Sequence, residues 1–331
     1  MHAKIYNIFK MKLNSLKKRY KLLYMDITQV FFGKSIVPDA IYIEPTNICN
    51  ANCIFCAYQF YGAKKNVMSM DVFKKALKES EELVIKRINL TPFAGEILVD
   101  KSILDKIKVI NKYNFKVVST YTNLLYLHKF DIDEFLNSGI TDLHVSTAPL
   151  ERSLYRKIYR VNRYDHLLEN LISLLGKYNK SKTKTINNLC IEFRGNMSLN
   201  ECINLPDYKY YIAPLIATNN IKMAAMSTYD SWMGSISQDD LLEGMKIAKE
   251  SGKKILPCNR LNNLQVLSNG DMRICGCRFN NSSSEDIFYV GNIKTMSIRN
   301  AYNSDIVKNL KKSFFKGTPP EECQKCSWYN L

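Results

Sequence analysis

This sequence predicts an α/β fold: a parallel sheet alternating with helices, followed by a small cysteine-bearing C-terminal module. Two observations carry that expectation. From residue 38 to about 226, short apolar runs alternate with amphipathic stretches, the pattern of strand and helix taken in turn. Consecutive strands separated by a helix lie parallel. Past residue 257 the pattern changes to a hairpin signal, a helix and a final cysteine pair. The 331 residues, 46% of them hydrophobic, suffice for one large domain and a small one.

Residues 1–37 read as a basic amphipathic helical extension. Phe9, Leu13, Leu16, Tyr20, Leu23 and Tyr24 fall at helical spacing among Lys10, Lys12, Lys17, Lys18, Arg19 and Lys21. Such a helix could attach weakly to a membrane surface, or lay its apolar stripe on the domain that follows. That domain, 38–235, has strand candidates at 40–43, 84–91, 115–120, 141–146, 188–194 and 221–226. Helical patterns lie between them at 69–83, 100–112, 131–137, 164–178 and 198–212, several opened by a capping residue such as Ser69, Asp131 or Ser198. A connecting helix is expected over 236–257 and the C-terminal module over 258–331. In that module Asn269-Gly270 signals a hairpin with strands at 265–267 and 272–275, bringing Cys258 towards Cys275. The segment from Val290 is expected to begin a helix running to about Phe315, which returns the chain to Cys323 and Cys326.

The chemistry concentrates in the loop after the first strand, where Cys49, Cys53 and Cys56 stand in C-x3-C-x2-C spacing. Thiolates are soft ligands suited to iron–sulfur clusters, and three of them cover three corners of a cubane, leaving one iron open to a substrate or cofactor. A zinc knuckle or three buried thiols is the other reading. Zinc prefers four ligands in paired C-x2-C spacing, however, and no fourth cysteine or histidine lies nearby. The spacing resembles the signature loop of the radical SAM superfamily, in which S-adenosylmethionine chelates the open iron. That resemblance implies a partial (βα)6 TIM-like barrel with functional groups at the carboxyl ends of its strands, and each strand end has a counterpart in the family.

Phe55 matches the aromatic residue that packs near the adenine, and Tyr58 is grouped with it as a cofactor contact. Pro92-Phe-Ala-Gly-Glu96 resembles the Gly-Gly-Glu element that binds the amino group, with Gly95 and Glu96 retained and alanine in place of the first glycine. Ser119-Thr-Tyr-Thr-Asn123 is similar to a Thr-Asn-Gly turn, which brings in Thr122 and Asn123. Ser146 stands where the family has a serine or asparagine, and Arg160 at the distance of an arginine that reaches the carboxylate, with Arg156 and Arg163 as competitors. On the fifth strand, alternation sends Glu192 and Arg194 to one face. A charged pair there is expensive unless it is used or mutually satisfied, so both are candidate catalytic groups.

The C-terminal module resembles the short twitch form of the SPASM auxiliary-cluster domain, with Cys258, Cys275, Cys323 and Cys326 implied as ligands of one 4Fe-4S cluster; four thiolates in two pairs also suit zinc. Cys277 could be an alternative ligand, a hydrogen-atom donor or a small packed residue, and Cys190 and Cys202 read as packed hydrophobes. Tyr229-Asp-Ser-Trp-Met-Gly234 resembles the same region of aminocyclitol- and sugar-oxidising relatives, or is a packed loop anchored by Trp232.

Composition bounds the rest. Ten cysteines in a chain of this size, seven of them in clustered spacings, fit metal binding rather than a disulfide framework. No apolar run approaches a membrane span and no secretory signal opens the chain, so a cytoplasmic location is expected. The net charge of +16 is compatible with nucleic acid, anionic lipid or phosphorylated substrates. Much of it reads as lysine spread over solvated faces, and no nucleic-acid-binding signature is present.

The family resemblance implies reductive cleavage of S-adenosylmethionine to a 5'-deoxyadenosyl radical that abstracts hydrogen from a C–H bond, fed by an external one-electron reductant of flavodoxin or ferredoxin type. It favours oxidation of an alcohol carbon on a small molecule, a sugar, nucleotide sugar or aminocyclitol, with the second electron passing to the auxiliary cluster. Epimerisation with Cys277 as hydrogen donor is the rival. A third reading is maturation of a ribosomal peptide, for which residues 1–37 are short as a leader-binding domain.

Overall fold

The computed structural model describes residues 2–216, 221–232, 234–249, 252, 254–275 and 286–329, with side chains from residue 16 onward. All six expected strands are present: β1 (Ala40–Ile43), β2 (Arg87–Asn89), β3 (Val117–Thr122), β4 (Asp142–Thr147), β5 (Asn188–Arg194) and β6 (Lys222–Met226). They pair in parallel, each beside its neighbour in sequence, and form the partial (βα)6 TIM-like barrel. Alternation explains why. On β4 and β5, Leu143, Val145, Leu189 and Ile191 are at most 1% exposed, while His144, Ser146, Cys190 and Glu192 take the opposite face. The apolar set packs under the surrounding helices and the polar set faces the barrel interior.

The caps expected from sequence are in place. Ser69 accepts from the N–H of Val72 at the start of helix Met70–Glu82, Asp131 from that of Glu134, and Ser198 forms a reciprocal capping box with Glu201. The helix expected over 198–212 breaks after Leu199–Asn204, because Pro206 holds Leu205 extended. Helix Arg152–Tyr159, capped by Glu151, has no counterpart among the expected helices.

The C-terminal module departs from expectation in its connections. After β7 (Thr228–Tyr229) and β8 (Lys246–Ile247), which pair as a small separate ribbon, come β9 (Asn263–Val266), β10 (Asp271–Ile274) and β11 (Tyr289–Asn292). β9 and β10 form the expected hairpin, with Gly270 at φ +95° in its turn. β9 also pairs in parallel with β1, Ala40 opposite Asn263 and Ile43 opposite Val266, so nine strands share one sheet. A boundary at 257/258 therefore divides the sequence but not the sheet.

Two elements are corrected. Among the described residues of 236–257 there is no α-helix: the segment makes a short turn at Gln238–Asp240 and then β8, with Gly244 at φ +87° between them. Val290 lies in β11, antiparallel to β10, rather than in a helix. The helices begin only at Ile298–Tyr302, capped by Ser297, and Asp305–Phe315, with Asn303 between.

The N-terminal helix, His2–Phe32, lies against helix Asp305–Phe315 and the turn Asn259–Asn262. It buries Leu22, Asp26, Thr28 and Gln29 there. Its anchor is an ion pair between Asp26 and Lys311, 2.7 Å long, with side chains 2% and 0% exposed. The ammonium also donates to Gln29 Oε1 at 2.9 Å and to the Tyr302 hydroxyl at 3.2 Å. Burial pushes the carboxyl up and the ammonium down, so each charge depends on the other. Asp26→Ala, which strands a buried ammonium, is expected to cost about 3–5 kcal/mol in chemical denaturation. Asp26→Leu with Lys311→Met should recover most of that loss; an equal loss in both variants would show that the pair is not the anchor.

Candidate functional site

The cysteine loop leaves β1 and is held from several sides. The N–H groups of Asn52 and Ile54 donate to the carbonyls of Tyr159 (3.1 Å) and Ile158 (2.9 Å), at the end of helix Arg152–Tyr159. That of Cys49 donates to the Tyr58 hydroxyl at 3.0 Å, and that of Cys56 to the Cys53 carbonyl at 3.1 Å. So held, Cys49, Cys53 and Cys56 line one cavity of about 450 Å³. Burial, followed by the Glu96 carboxylate, pushes the Cys49 thiol up to about 12. Burial likewise pushes the thiols of Cys53 and Cys56 up. Three crowded, desolvated sulfurs do not ionise together without a cation between them. A soft iron–sulfur cluster suits this donor set.

The second loop of the cavity follows β2. Gly95 is required by close approach: a Cβ there would meet the Thr46 carbonyl oxygen at 2.4 Å. The N–H of Glu96 donates to the Ile48 carbonyl at 2.9 Å, which fastens this loop to the cysteine loop. The Glu96 carboxylate is 4% exposed and accepts from Thr122 Oγ1 (2.6 Å), Asn123 N–H (2.7 Å) and Leu98 N–H (3.2 Å). Burial outweighs these donors and holds its pKa up at about 7. Asn123 also donates to Asn50 Oδ1 at 2.7 Å, within the cysteine loop. Both loops are tied to a residue that the sequence reading passed over. Glu44, 3% exposed, accepts from Phe93 N–H (3.0 Å) and Ala94 N–H (3.4 Å) on one oxygen and from Ser268 N–H (3.2 Å) and Oγ (3.0 Å) on the other.

Of the residues proposed from sequence, Phe55, Gly95, Glu96, Thr122, Asn123, Ser146, Arg194 and Cys275 line the cavity with the three cysteines. Phe55 stacks on Tyr229 with ring centroids 5.0 Å apart, and its carbonyl accepts from Trp232 Nε1 at 3.3 Å. Ser146 pairs with the Tyr159 hydroxyl at 3.1 Å. Tyr58 braces the backbone of Cys49 and is not among the lining residues. Arg160 is not brought to the cavity either. It caps helix Arg152–Tyr159 at φ +54°, is exposed, and donates to Gln59 Oε1 at 2.6 Å. Glu192 stands beneath the lining, accepting from Arg194 Nη2 (2.7 Å) and the Tyr121 hydroxyl (3.0 Å), with His144 Nδ1 at 2.8 Å. The pair expected to be expensive is thus mutually satisfied: burial acts to raise the Glu192 carboxyl, and His144, Arg194 and Tyr121 hold it below the usual range.

The C-terminal cysteines converge as well. Burial, followed by the nearby Cys275, Cys326 and Cys258, pushes the Cys323 thiol up. Cys275 follows β10 at φ +64° and lines the same cavity as the first three cysteines. Beneath the Cys323–Cys326 turn, Lys254 is 5% exposed and donates to the carbonyls of Cys323 (2.7 Å), Gln324 (2.7 Å) and Cys326 (2.8 Å). Ser327 Oγ donates to Asp230 Oδ1 at 2.6 Å, joining this turn to the segment after β6. Cys277 lies outside the described residues.

Comparison with known proteins agrees with this geometry. The family model described as "Radical SAM superfamily" matches residues 43–189, and that of SPASM, "Iron-sulfur cluster-binding domain", matches 258–327. A probable GTP 3',8-cyclase of Saccharolobus islandicus is 23% identical over 144 residues, 44% of this chain and 45% of that protein. The GTP 3',8-cyclase of Actinobacillus pleuropneumoniae is 25% identical over 133 residues, 39% of this chain and 38% of its own. The chain thus spans less than half the length of these curated relatives. Among solved structures, BtrN in complex with AdoMet and 2-DOIA superposes with a TM-score of 0.58 at 15% identity, over 88% of this chain and 94% of that one. Streptococcus suis SuiB bound to precursor peptide SuiA gives 0.61 at 13% identity, over 92% and 73%. At these identities the likeness is one of fold.

The close approach at Gly95 makes a test of the site's construction. Gly95→Ala should push the loop carrying Glu96 off the cysteine loop and lower the iron bound after anaerobic reconstitution by about half, the share of one of two cubane clusters. Full iron content in that variant would show that the two loops do not depend on their contact.

Proposed function

This chain belongs to the radical SAM superfamily and carries an SPASM domain, and on that premise we propose that it oxidises an alcohol carbon of a small hydroxylated substrate, a sugar, nucleotide sugar or aminocyclitol. The family's cofactors are S-adenosylmethionine, a 4Fe-4S cluster and, in the SPASM domain, auxiliary iron–sulfur clusters. When bound, the first cluster and S-adenosylmethionine supply a 5'-deoxyadenosyl radical able to take a hydrogen atom from an unactivated C–H bond.

The chain's own residues do the positioning. Cys49, Cys53 and Cys56 would hold the first cluster, and Cys258, Cys275, Cys323 and Cys326 the auxiliary one. Glu96, fixed by Thr122 and the Asn123 backbone, would accept from the amino group of S-adenosylmethionine, beside Gly95, Asn123 and Ser146. Phe55, stacked on Tyr229, offers an aromatic wall for the adenine. Arg194, held by Glu192, presents a guanidinium to the cavity, where it would meet a hydroxyl or phosphate of the substrate.

One observation carries the choice of oxidation: Cys275 lines the same cavity as Cys49, Cys53 and Cys56. Converting an alcohol carbon to a carbonyl removes a hydrogen atom, a proton and an electron. A substrate in this cavity would have the first cysteine set on one side and a ligand of the auxiliary cluster, an acceptor for that electron, on the other. Reconstituted protein should hold about eight irons per chain, and Cys49→Ala/Cys53→Ala/Cys56→Ala about four, with loss of S-adenosylmethionine cleavage. In turnover with a panel of nucleotide sugars and aminocyclitols, one S-adenosylmethionine should be consumed per product, the product should have lost two hydrogens, and Cys277→Ala should keep substantial activity. Deuterium taken up from heavy water at the reacting carbon, together with loss of product in Cys277→Ala, would replace oxidation by epimerisation.

A second reading concerns the N-terminal helix. No helix among the described residues is long and apolar enough to cross a membrane. The helix nevertheless leaves Leu16, Tyr20, Tyr24 and Phe32 exposed, with Lys17 and Lys21 exposed in the same turns, while Lys18 pairs with Asp39 at 2.8 Å and Phe31 packs on Phe315. Aromatics flanked by cations suit reversible attachment to an anionic surface. The full chain should sediment with anionic liposomes, and Tyr20→Ser/Tyr24→Ser should reduce the bound fraction several-fold. Equal sedimentation of both proteins would assign the helix a packing role alone.

A further inference from the structure

Below the cavity, on the interior face of the barrel, three ligand-bearing side chains meet that the proposed oxidation does not use as a group. Register places them: Tyr121 stands opposite His144 and His144 opposite Cys190, while Glu192 lies one layer higher, opposite Ser146. One ligand atom each from His144, Cys190 and Glu192 lies within 4.8 Å of the other two. We propose that these three residues bind one divalent cation of the zinc class on the barrel floor, at a site separate from both cysteine sets.

The donor set argues for that ion. A thiolate, an imidazole and a carboxylate are the side chains zinc takes, and three protein ligands leave its fourth position to water. Hard cations that prefer all-oxygen shells do not choose a thiolate. In a tetrahedral zinc site, neighbouring ligand atoms stand about 3.2–3.8 Å apart, so the present spread closes with side-chain movements of about an ångström. The His144 nitrogen and Glu192 oxygen, hydrogen-bonded at 2.8 Å, would part by about half an ångström to admit the ion. One thiolate and one carboxylate set two negative charges against the dication, and with Arg194 kept on the other carboxylate oxygen at 2.7 Å the group carries one net positive charge.

The surroundings resemble those of a built metal site, in which outer groups orient the ligands. Tyr121 lies face to face with the His144 ring, centroids 4.4 Å apart and planes 19° from parallel, and its hydroxyl donates to Glu192. The His144 side chain is 30% exposed and Cys190 is half-buried, so an ion has a way in that avoids the cavity above. A cysteine placed only to pack would belong with the apolar residues on the other face of β5. Cys190 instead faces the polar layer. Bound there, the cation would clamp β4 to β5 and fix the carboxylate that holds Arg194 at the cavity wall.

The test uses the full chain with its clusters loaded, so that iron already occupies the two cysteine sets. After incubation with zinc and removal of excess, it should retain about one zinc per chain. X-ray absorption at the zinc edge should show a single sulfur in a shell of nitrogen and oxygen. Cys190→Ser and His144→Gln should each lower retained zinc at least ten-fold while iron content stays unchanged. Zinc surrounded by four sulfurs, or no retained zinc in the unaltered protein, would overturn the site and leave a metal-free His–Glu–Cys network. The zinc-edge spectrum decides the matter on the unaltered chain even if a variant fails to fold.

Discussion

One buried carboxylate, that of Glu44, sets the relation between the parts of this site. It sits at the exit of β1, where the cysteine loop begins, and its two oxygens face in different directions. One takes the backbone N–H groups that open the loop after β2; the other takes the N–H and hydroxyl of Ser268 at the hairpin turn of the C-terminal module. Burying a carboxylate is costly, and burial pushes this one up, while four donors offset that cost only when all are in place. The result is cooperative. The Gly95–Glu96 loop and the C-terminal hairpin meet on the two oxygens of one carboxylate at the root of the cysteine loop, so that side chain ties the three together.

From that convergence the cavity acquires its character. Its aromatic side comes from Phe55, Tyr229 and Trp232, which interlock across segments far apart in sequence. Its polar side comes from Glu96 and Arg194, each held by partners of its own, Thr122 and Asn123 for the first and Glu192 for the second. Preorganised groups of this kind need little reorganisation when a ligand arrives. The thiols are the exception, since without a cation their burial and crowding keep them protonated.

What could be read from the sequence was what local geometry and chemistry determine together. The spacing of Cys49, Cys53 and Cys56, the Gly95-Glu96 pair and the Asn269-Gly270 turn each need particular residue types at adjacent positions, so they are visible in one dimension. Strand alternation likewise located the six barrel strands. Contacts made across the fold were not visible. Glu44 looks like an ordinary loop carboxylate until Ser268 is brought to it. Helix Arg152–Tyr159 is a short run, and its value lies in the carbonyls it offers to Asn52 and Ile54. Arg160 stands at the expected distance after β4, but the left-handed turn at the helix end directs it to Gln59. Val290 is expected from sequence to open the helix that runs to about Phe315; its pairing with β10 is a tertiary fact. Cys190 read as a hydrophobe because a lone cysteine carries no spacing, and only the register of β4 against β5 reveals His144 beside it.

The pairing of β1 with β9 has a consequence for how the chain comes into being. In a half-barrel built from β1 to β6 alone, β1 would be a bare edge of Ala-Ile-Tyr-Ile, an apolar strand with its hydrogen-bonding groups unpaired and ready to join a foreign chain. Here the segment that covers it lies more than two hundred residues downstream, at Asn263–Val266. During synthesis the first strand emerges long before its partner exists. The newborn barrel must wait with one flank open, and it is there that chaperones would have most to protect.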